Sequence, residues 1–190
     1  MIRCFTGLTA APINLDSLYQ ALSPARDRLP HLRWLSPDAL HLTLRFFGNL
    51  DETQVDRARA ALSTLEGQKP ITLTFDRWKF LPFPNKARVL VLVPQPSPLP
   101  ALEALHSLKR AYDQALTSAG LPLPPEKPGD TPEGFLPHVT IARFNPKNRP
   151  STQDLKDLPL PFTLTLDRVI LYQSLEGLRY LPLGHVDLGK

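Results

Sequence analysis

Two short runs constrain this chain more than anything else in it: Leu40 to Phe47 and Pro137 to Phe144 are both β-leaning, and both carry His-x-Thr. The copies are His41-Leu42-Thr43 and His138-Val139-Thr140, 97 residues apart in a chain of 190. Successive side chains of a strand point to opposite faces, so His41 and Thr43 share one face while Leu42 and Leu44 take the other. His138 and Thr140 stand likewise opposite Val139 and Ile141. Each strand thus offers an imidazole and a hydroxyl on one side and apolar anchors on the other, as a cleft wall made from a sheet requires. One His-x-Thr is commonplace, because histidines are so often structural. Two copies in matching contexts are not.

The contexts do match. A first strand is predicted over Ile2 to Leu8, then a helix from about Leu15 to Leu22 and a short strand at Arg33-Trp34-Leu35. Ser36-Pro37-Asp38-Ala39 turns the chain into the first motif, which stops at Gly48-Asn49. Asp51, with Gln54 three residues on, resembles a capping box, and Val55, Ala58, Leu62 and Leu65 recur at helical spacing as far as Gly67. Ile71 to Phe75 alternates as a half-buried strand, Pro82 to Asn85 makes a turn, and Arg88 to Val93 reads as a more central strand. Ser97-Pro98 caps the longest helix, whose apolar stripe runs Leu102, Leu105, Leu108, Tyr112, Leu116 and ends at Gly120. A proline-rich loop from Leu121 to Phe135 leads to the second motif. A short helix after Ser151 and strands at about Phe162 to Tyr172 and Arg179 to Val186 complete the chain. Helix, motif strand, helix, two strands: the order occurs twice, which predicts one domain over 1–190 made of two lobes related by a pseudo-two-fold, with both histidines at one cleft.

The remaining composition narrows the setting. A chain of this length buries a substantial core without disulfide or metal staples. Its one cysteine, Cys4, allows neither an intramolecular disulfide nor a thiolate zinc cluster, which suits a reducing, cytoplasmic environment. No basic and then apolar leader opens the sequence and no apolar stretch approaches the ~18 residues of a span, so a soluble protein without membrane contact is expected. The formal charge of +4 and pI near 9.4 permit an anionic substrate but fall short of the dense Lys/Arg clustering of a duplex-coating protein. The 22 prolines gather at 94–100, 122–132 and 146–161 and mark irregular connections.

Two imidazoles facing one cleft suit a reaction that needs a proton removed and a proton supplied together, because near neutral pH histidine is readily half protonated. Phosphodiester cleavage has that need, and threonine hydroxyls can donate to the nonbridging oxygens. The motifs offer no carboxylates for a catalytic magnesium.

The segments His41-Leu42-Thr43-Leu44-Arg45-Phe46-Phe47-Gly48 and Pro137-His138-Val139-Thr140-Ile141-Ala142-Arg143 resemble the paired signatures of the two-histidine phosphoesterase superfamily, and within it the RNA 2′,3′-cyclic phosphodiesterase (LigT or ThpR) family. The resemblance runs from the Arg3 to Leu8 strand to the closing Leu171-Tyr172-Gln173-Ser174 and Gly177 to Tyr180. It implies an α+β fold of two pseudo-symmetric lobes, with antiparallel sheets flanking a central groove that carries both motifs. It implies a monomeric enzyme that acts on RNA 3′ ends or cyclic-phosphate nucleotides without metal or other cofactor, opening 2′,3′-cyclic phosphates to 2′-phosphates. His41 and His138 would be the acid/base pair, Thr43 and Thr140 would hold the phosphate oxygens, Arg143 would add charge and Phe46 would stack on the terminal base. Analogy with relatives giving the same product makes His41 the acid and His138 the base. The same site could instead cleave or join 2′,5′ linkages, and a noncatalytic RNA-end binding module is the reading from another class.

Two of those residues strain the geometry. Strict alternation puts Phe46 and Arg143 opposite their histidines and leaves Arg45 on the His41 face, so each strand must end, twist or bulge just there. At Thr6-Gly7 the opening strand departs from the family's apolar pattern, which predicts close backbone packing or extra room in the groove. His31, His106 and His185 lack matching partners and read as ordinary histidines. Lys86, Arg88, Lys147 and the rest of the Arg143 to Arg149 region are candidates for RNA phosphates, with solvated surface as the simpler reading. Tyr180 and Ser174 are candidates to buttress the groove, and the loop before the second motif to form its rim.

Overall fold

The alternating runs become strands and the 3.6-periodic ones helices. In chain order, the computed structural model contains β1 (Ile2–Ala10), α1 (Pro12–Ala21), α2 (Ser23–Arg28), β2 (Arg33–Trp34), β3 (Leu42–Leu50), α3 (Glu52–Ala61), β4 (Ile71–Leu81), β5 (Val89–Pro94), α4 (Leu99–Ser118), β6 (Val139–Arg143), β7 (Phe162–Ser174) and β8 (Tyr180–Asp187). The structure describes residues 1–82, 86–96, 99–121, 123 and 135–189. The Ser97-Pro98 cap, most of the turn at Pro82 to Asn85 and most of the loop from Leu121 to Phe135 lie outside the described residues.

Helix α3 starts as its sequence requires. The Gln54 amide donates to the Asp51 carboxylate at 2.8 Å, and the Asp51 amide donates back to the Gln54 side chain at 2.9 Å, closing a capping box. Helix α2 was not anticipated: Pro24 stands in its first turn, where a missing N–H costs nothing. After Ser151 there is only a 3₁₀ turn, Gln153–Leu155, too short to nucleate an α-helix. Strand β4 runs past Phe75 to Leu81, because its register against β5 skips Asp76 and resumes at Arg77, so the charged residues that seem to end the alternation only shift it.

Each strand pairing is antiparallel, in the order β1-β3-β6-β5-β4-β7-β8, with β2 on β6 and β1 also paired to β7. The pairings therefore close on themselves. Strands β4 and β7 make this possible by their length: the first half of β7 pairs with the first half of β4, and its second half pairs with β1. The two sheets expected for the lobes are thus arms of one network, β3-β1-β7-β8 in the first lobe and β6-β5-β4 in the second. The fold is α+β and antiparallel.

One face of the network lies under the helices. Leu8, Leu42, Leu90, Leu92 and Val139 of the strands pack there with Val55 and Ala58 of α3 and with Leu105, Leu108, Tyr112 and Leu116 of α4, the stripe that the sequence marks out. Each fully buried leucine contributes about 2 kcal/mol of transfer free energy. A charged group is buried at the same face: Arg45 Nε donates to Asp113 Oδ1 at 2.9 Å, and Lys109 Nζ donates to Asp113 Oδ2 at 2.7 Å. Among the described residues, no helix is long and apolar enough to cross a membrane.

Candidate active site

The register shows how the opposite face acquires its side chains. Against β1, Leu42 pairs with Leu8 and Thr43 with Gly7, but Thr6 then pairs with Arg45, leaving Leu44 as an extra residue. Against β5, Val139 pairs with Leu92 and Thr140 with Val91, but Leu90 then pairs with Ala142, leaving Ile141 extra. Each bulge follows a motif threonine directly, and Leu44 and Ile141 are again 97 residues apart. A bulge reverses which face the later residues take. Phe46 and Arg143 therefore return to the motif face, and Arg45 turns into the core against Asp113, correcting the simple count that kept it beside His41. Phe46 and Arg143 share the 97-residue offset as well, so an aromatic ring in one lobe stands where a guanidinium stands in the other.

The motifs meet where the lobes join. Strand β3 touches β6 through one antiparallel pair, Leu42 with Val139. Carried one residue either way, that register sets His41 across from Thr140 and Thr43 across from His138, with all four on one face. Both rings are clamped alike. Nδ1 of His41 lies 2.8 Å from the Ala39 carbonyl, and Nδ1 of His138 lies 2.8 Å from the Leu136 carbonyl. A carbonyl only accepts, so in each ring Nδ1 carries the proton and Nε2 is left to exchange one.

The two histidines differ in their surroundings. His41 is buried and His138 half-buried. Burial pushes the His41 pKa down to about 4; the Ala39 carbonyl opposes that, and the charges of His138 and Arg143 add to it. His41 is therefore neutral at pH 7 in these surroundings. Arg143 is half-buried, and its Nε is buried with no hydrogen-bond partner among the described residues. An anion beside both imidazoles would meet a donor already in place.

Aromatic rings pack around His41. Phe5 lies 4.7 Å from it, Tyr180 stands edge-on at 5.2 Å and Tyr172 lies at 5.9 Å. Phe46 is 5.8 Å from Phe5 and 61% exposed, so it presents a free ring face beside the cluster rather than filling the core. Tyr180, a candidate buttress, thus bears on His41 directly, and Ser174 pairs with it in register. Phe5 and Tyr172 escaped sequence reading; the one signal was aromatic residues inside strands that pair with each other. His31, His106 and His185 are not brought to the motif pair: His31 and His185 are exposed, and His106 stands edge-on to Phe135 at 5.5 Å. Lys86, Arg88 and Lys147 are exposed, and Arg149 reaches over the ring of Phe80 on the core side of the sheet.

Gly7 explains the unusual opening strand. A Cβ there would stand 3.1 Å from His41 Cδ2 and 3.2 Å from its Cβ and Cγ, closer than ordinary van der Waals contact. The ring lies against bare backbone. Gly7→Ala is expected to displace His41 by a few tenths of an ångström and lower kcat about tenfold, with little change in Tm. Steady-state kinetics beside a thermal melt checks both halves, and unchanged kcat would show that the ring relaxes freely.

The chain can now be placed among known proteins. The family model of the 2′-5′ RNA ligase superfamily matches residues 15–178, a span that includes both motifs. The chain belongs to this superfamily. It is 28% identical over 127 residues to an RNA 2′,3′-cyclic phosphodiesterase of Methanothermobacter thermautotrophicus, covering 65% of the chain and 61% of that relative's length. It is 29% identical over 140 residues to an RNA 2′,3′-cyclic phosphodiesterase of Bacillus subtilis, covering 73% of the chain and 69% of the relative. The crystal structure of E. coli LigT complexed with 3′-AMP superposes with a TM-score of 0.67 at 20% identity, over 100% of this chain and 98% of that one. At that identity the likeness shows a shared fold. The superfamily match and the relatives bear out the resemblance to two-histidine phosphoesterases that the paired motifs carry.

Proposed function

We propose that this protein opens 2′,3′-cyclic phosphates at RNA 3′ ends to 2′-phosphates, with His41 and His138 as its acid/base pair and no metal in the step. The observation that carries the reading is the matched clamp: two imidazoles, each with Nδ1–H on the carbonyl two residues earlier, at the heads of two strands that pair with each other. The names of the relatives support the substrate class, and 3′-AMP in LigT supports a nucleotide in the groove.

The reaction then follows. One Nε2 takes a proton as a water oxygen bonds to phosphorus, the bond from phosphorus to O3′ breaks, and the other Nε2–H protonates O3′. Thr43, Thr140 and Arg143 donate to the nonbridging oxygens, where charge builds. The proton has moved from one ring to the other, and exchange with solvent resets the pair. As the acid, His41 must gain its proton in the complex, where the anionic phosphate offsets the burial that otherwise keeps it neutral. Phe46 offers its exposed face to the terminal base.

A 5′-labelled oligoribonucleotide ending in a 2′,3′-cyclic phosphate, incubated with the protein in excess chelator, tests the reading. The expected product ends in a 2′-phosphate and a free 3′-hydroxyl. No turnover, a 3′-phosphate product, or turnover restored only by added metal would overturn it.

A further inference from the structure

The face that carries the motifs extends beyond them, and the two lobes extend it differently. Across the second lobe the register runs Thr140, Val91, Lys79 on one row and Arg143, Val89, Leu81 on the next. Arg77 stands opposite Val93, the following position on that face. Partners across an antiparallel ladder share a face, so Lys79 and Arg77 stand on the motif face. Two strand spacings, about 10 Å, separate the backbones of Lys79 and Thr140. Trp78 and Phe80 alternate away toward the helices. Between the cations and the motif, Val89, Val91 and Val93 pack with Leu81 and Leu136 in a small apolar floor. A cavity of about 520 Å³ opens at the end of these strands beside the second motif, where Arg77, Lys79, Val93 and Pro137 meet Trp78 and His106 on the helix side.

The matching row of the first lobe is aromatic: Phe46 pairs with Phe5 and Phe5 with Tyr172. Two arginines share that face by alternation: Arg168 is held by Asp187 at 2.6 Å, and Arg3, exposed, stands two residues before Phe5 near the start of β1. Arg77 donates to the Pro94 carbonyl at 2.6 Å and to Asp76 at 3.2 Å, but the first acceptor is neutral and the second pair is adjacent in sequence with Arg77 more than half exposed, so its charge is little offset. Beside the motif, one wall thus offers π-faces, with Arg3 only at its outer end, and the other offers cations.

We infer that RNA lies in the groove with a fixed polarity, its terminal nucleoside on the aromatic first lobe and the phosphates 5′ to it crossing the second lobe to Lys79 and Arg77. This rests on the cyclic-phosphate reading above and adds a binding track to it. Each upstream nucleotide brings one negative charge, which a long ammonium or guanidinium side chain can meet about two strands from the scissile phosphate. Lys79 and Arg77 are positioning residues for longer RNA.

Two substrates with the same terminal nucleotide test it: a nucleoside 2′,3′-cyclic phosphate and a six-nucleotide RNA ending in one. For the double variant Lys79→Gln with Arg77→Gln, kcat/KM on the hexanucleotide is expected to fall about tenfold more than on the mononucleotide. Its salt dependence on the hexanucleotide should become shallower by about 0.7 in log–log slope for each phosphate that no longer meets a cation. Lys79→Arg should retain most of the wild-type preference. The inference fails if the wild type treats both substrates alike at low and high salt, or if the double variant is impaired equally on both. Binding of a 2′-phosphate-ended hexanucleotide, followed by fluorescence anisotropy, gives the same comparison without turnover. Absence of turnover would sink the cyclic-phosphate reading, while the binding comparison still judges the polarity.

Discussion

Alanine at His41 or at His138 is expected to lower kcat on cyclic-phosphate RNA by about 10³-fold, with the double variant scarcely worse than either single one. Each ring serves a different end of one displacement: with no base the water is a poor nucleophile, and with no acid O3′ leaves as an alkoxide. Losing the second function from a site that already lacks the first removes little more. Burst-free steady-state rates on a defined RNA, with circular dichroism as the check on folding, measure this. His138→Ala with near wild-type turnover would dismantle the mechanism, and additive losses would separate the two rings into independent roles. The clamps give a milder companion effect, because both Nδ1 contacts are to backbone carbonyls and survive any substitution of the neighbouring side chains.

The largest expected effect on stability lies on the other face of the same strand. Asp113→Ala takes away the carboxylate that Arg45 and Lys109 share, and both cations are buried beside it. Removing one member of a buried ionic group costs about 3–5 kcal/mol, because the charges left behind are poorly solvated. For a chain of this size that corresponds to a fall in Tm of roughly 6–20 °C. Asp113→Asn, which keeps two acceptor lone pairs but no charge, should fall between. A chemical denaturation series reads the difference directly, and a loss below about 1 kcal/mol would mean that water reaches the site and the group behaves as surface charge.

How much of this was legible in the sequence divides along a physical line. The paired motifs, the capping box at Asp51 and the α4 stripe depend on residues near one another in the chain, and all three are found where they were read. The conflict at Phe46 and Arg143 was legible too, as a demand for a bulge, but the two-for-one counts at Leu44 and Ile141 depend on which strands β3 and β6 pair with, and pairing is not local. For the same reason the burial of Arg45 was missed: by alternation it belongs to the groove, and one inserted residue sends it to the core. Strand β4 was read only to Phe75 because the apolar alternation stops at Asp76, and only the register against β5 shows that the strand absorbs Asp76 and continues. The rings around His41 come from β1, β7 and β8, and no spacing rule gathers strands so far apart in sequence.

The closed circuit of strand pairings bears on how a substrate gets in. Two lobes on a hinge could swing apart like jaws, but here β7 is stitched to β4 along one half and to β1 along the other, and β4 is stitched in turn to β5. Spreading the lobes means tearing a ladder. The seam that costs least to part is the single Leu42 with Val139 pair between the two motif strands, which is also the place where the histidines must stay in step. The groove is therefore built as a slot whose two walls are tied at a set spacing, and selection falls to whatever fits a gap that does not widen to receive it.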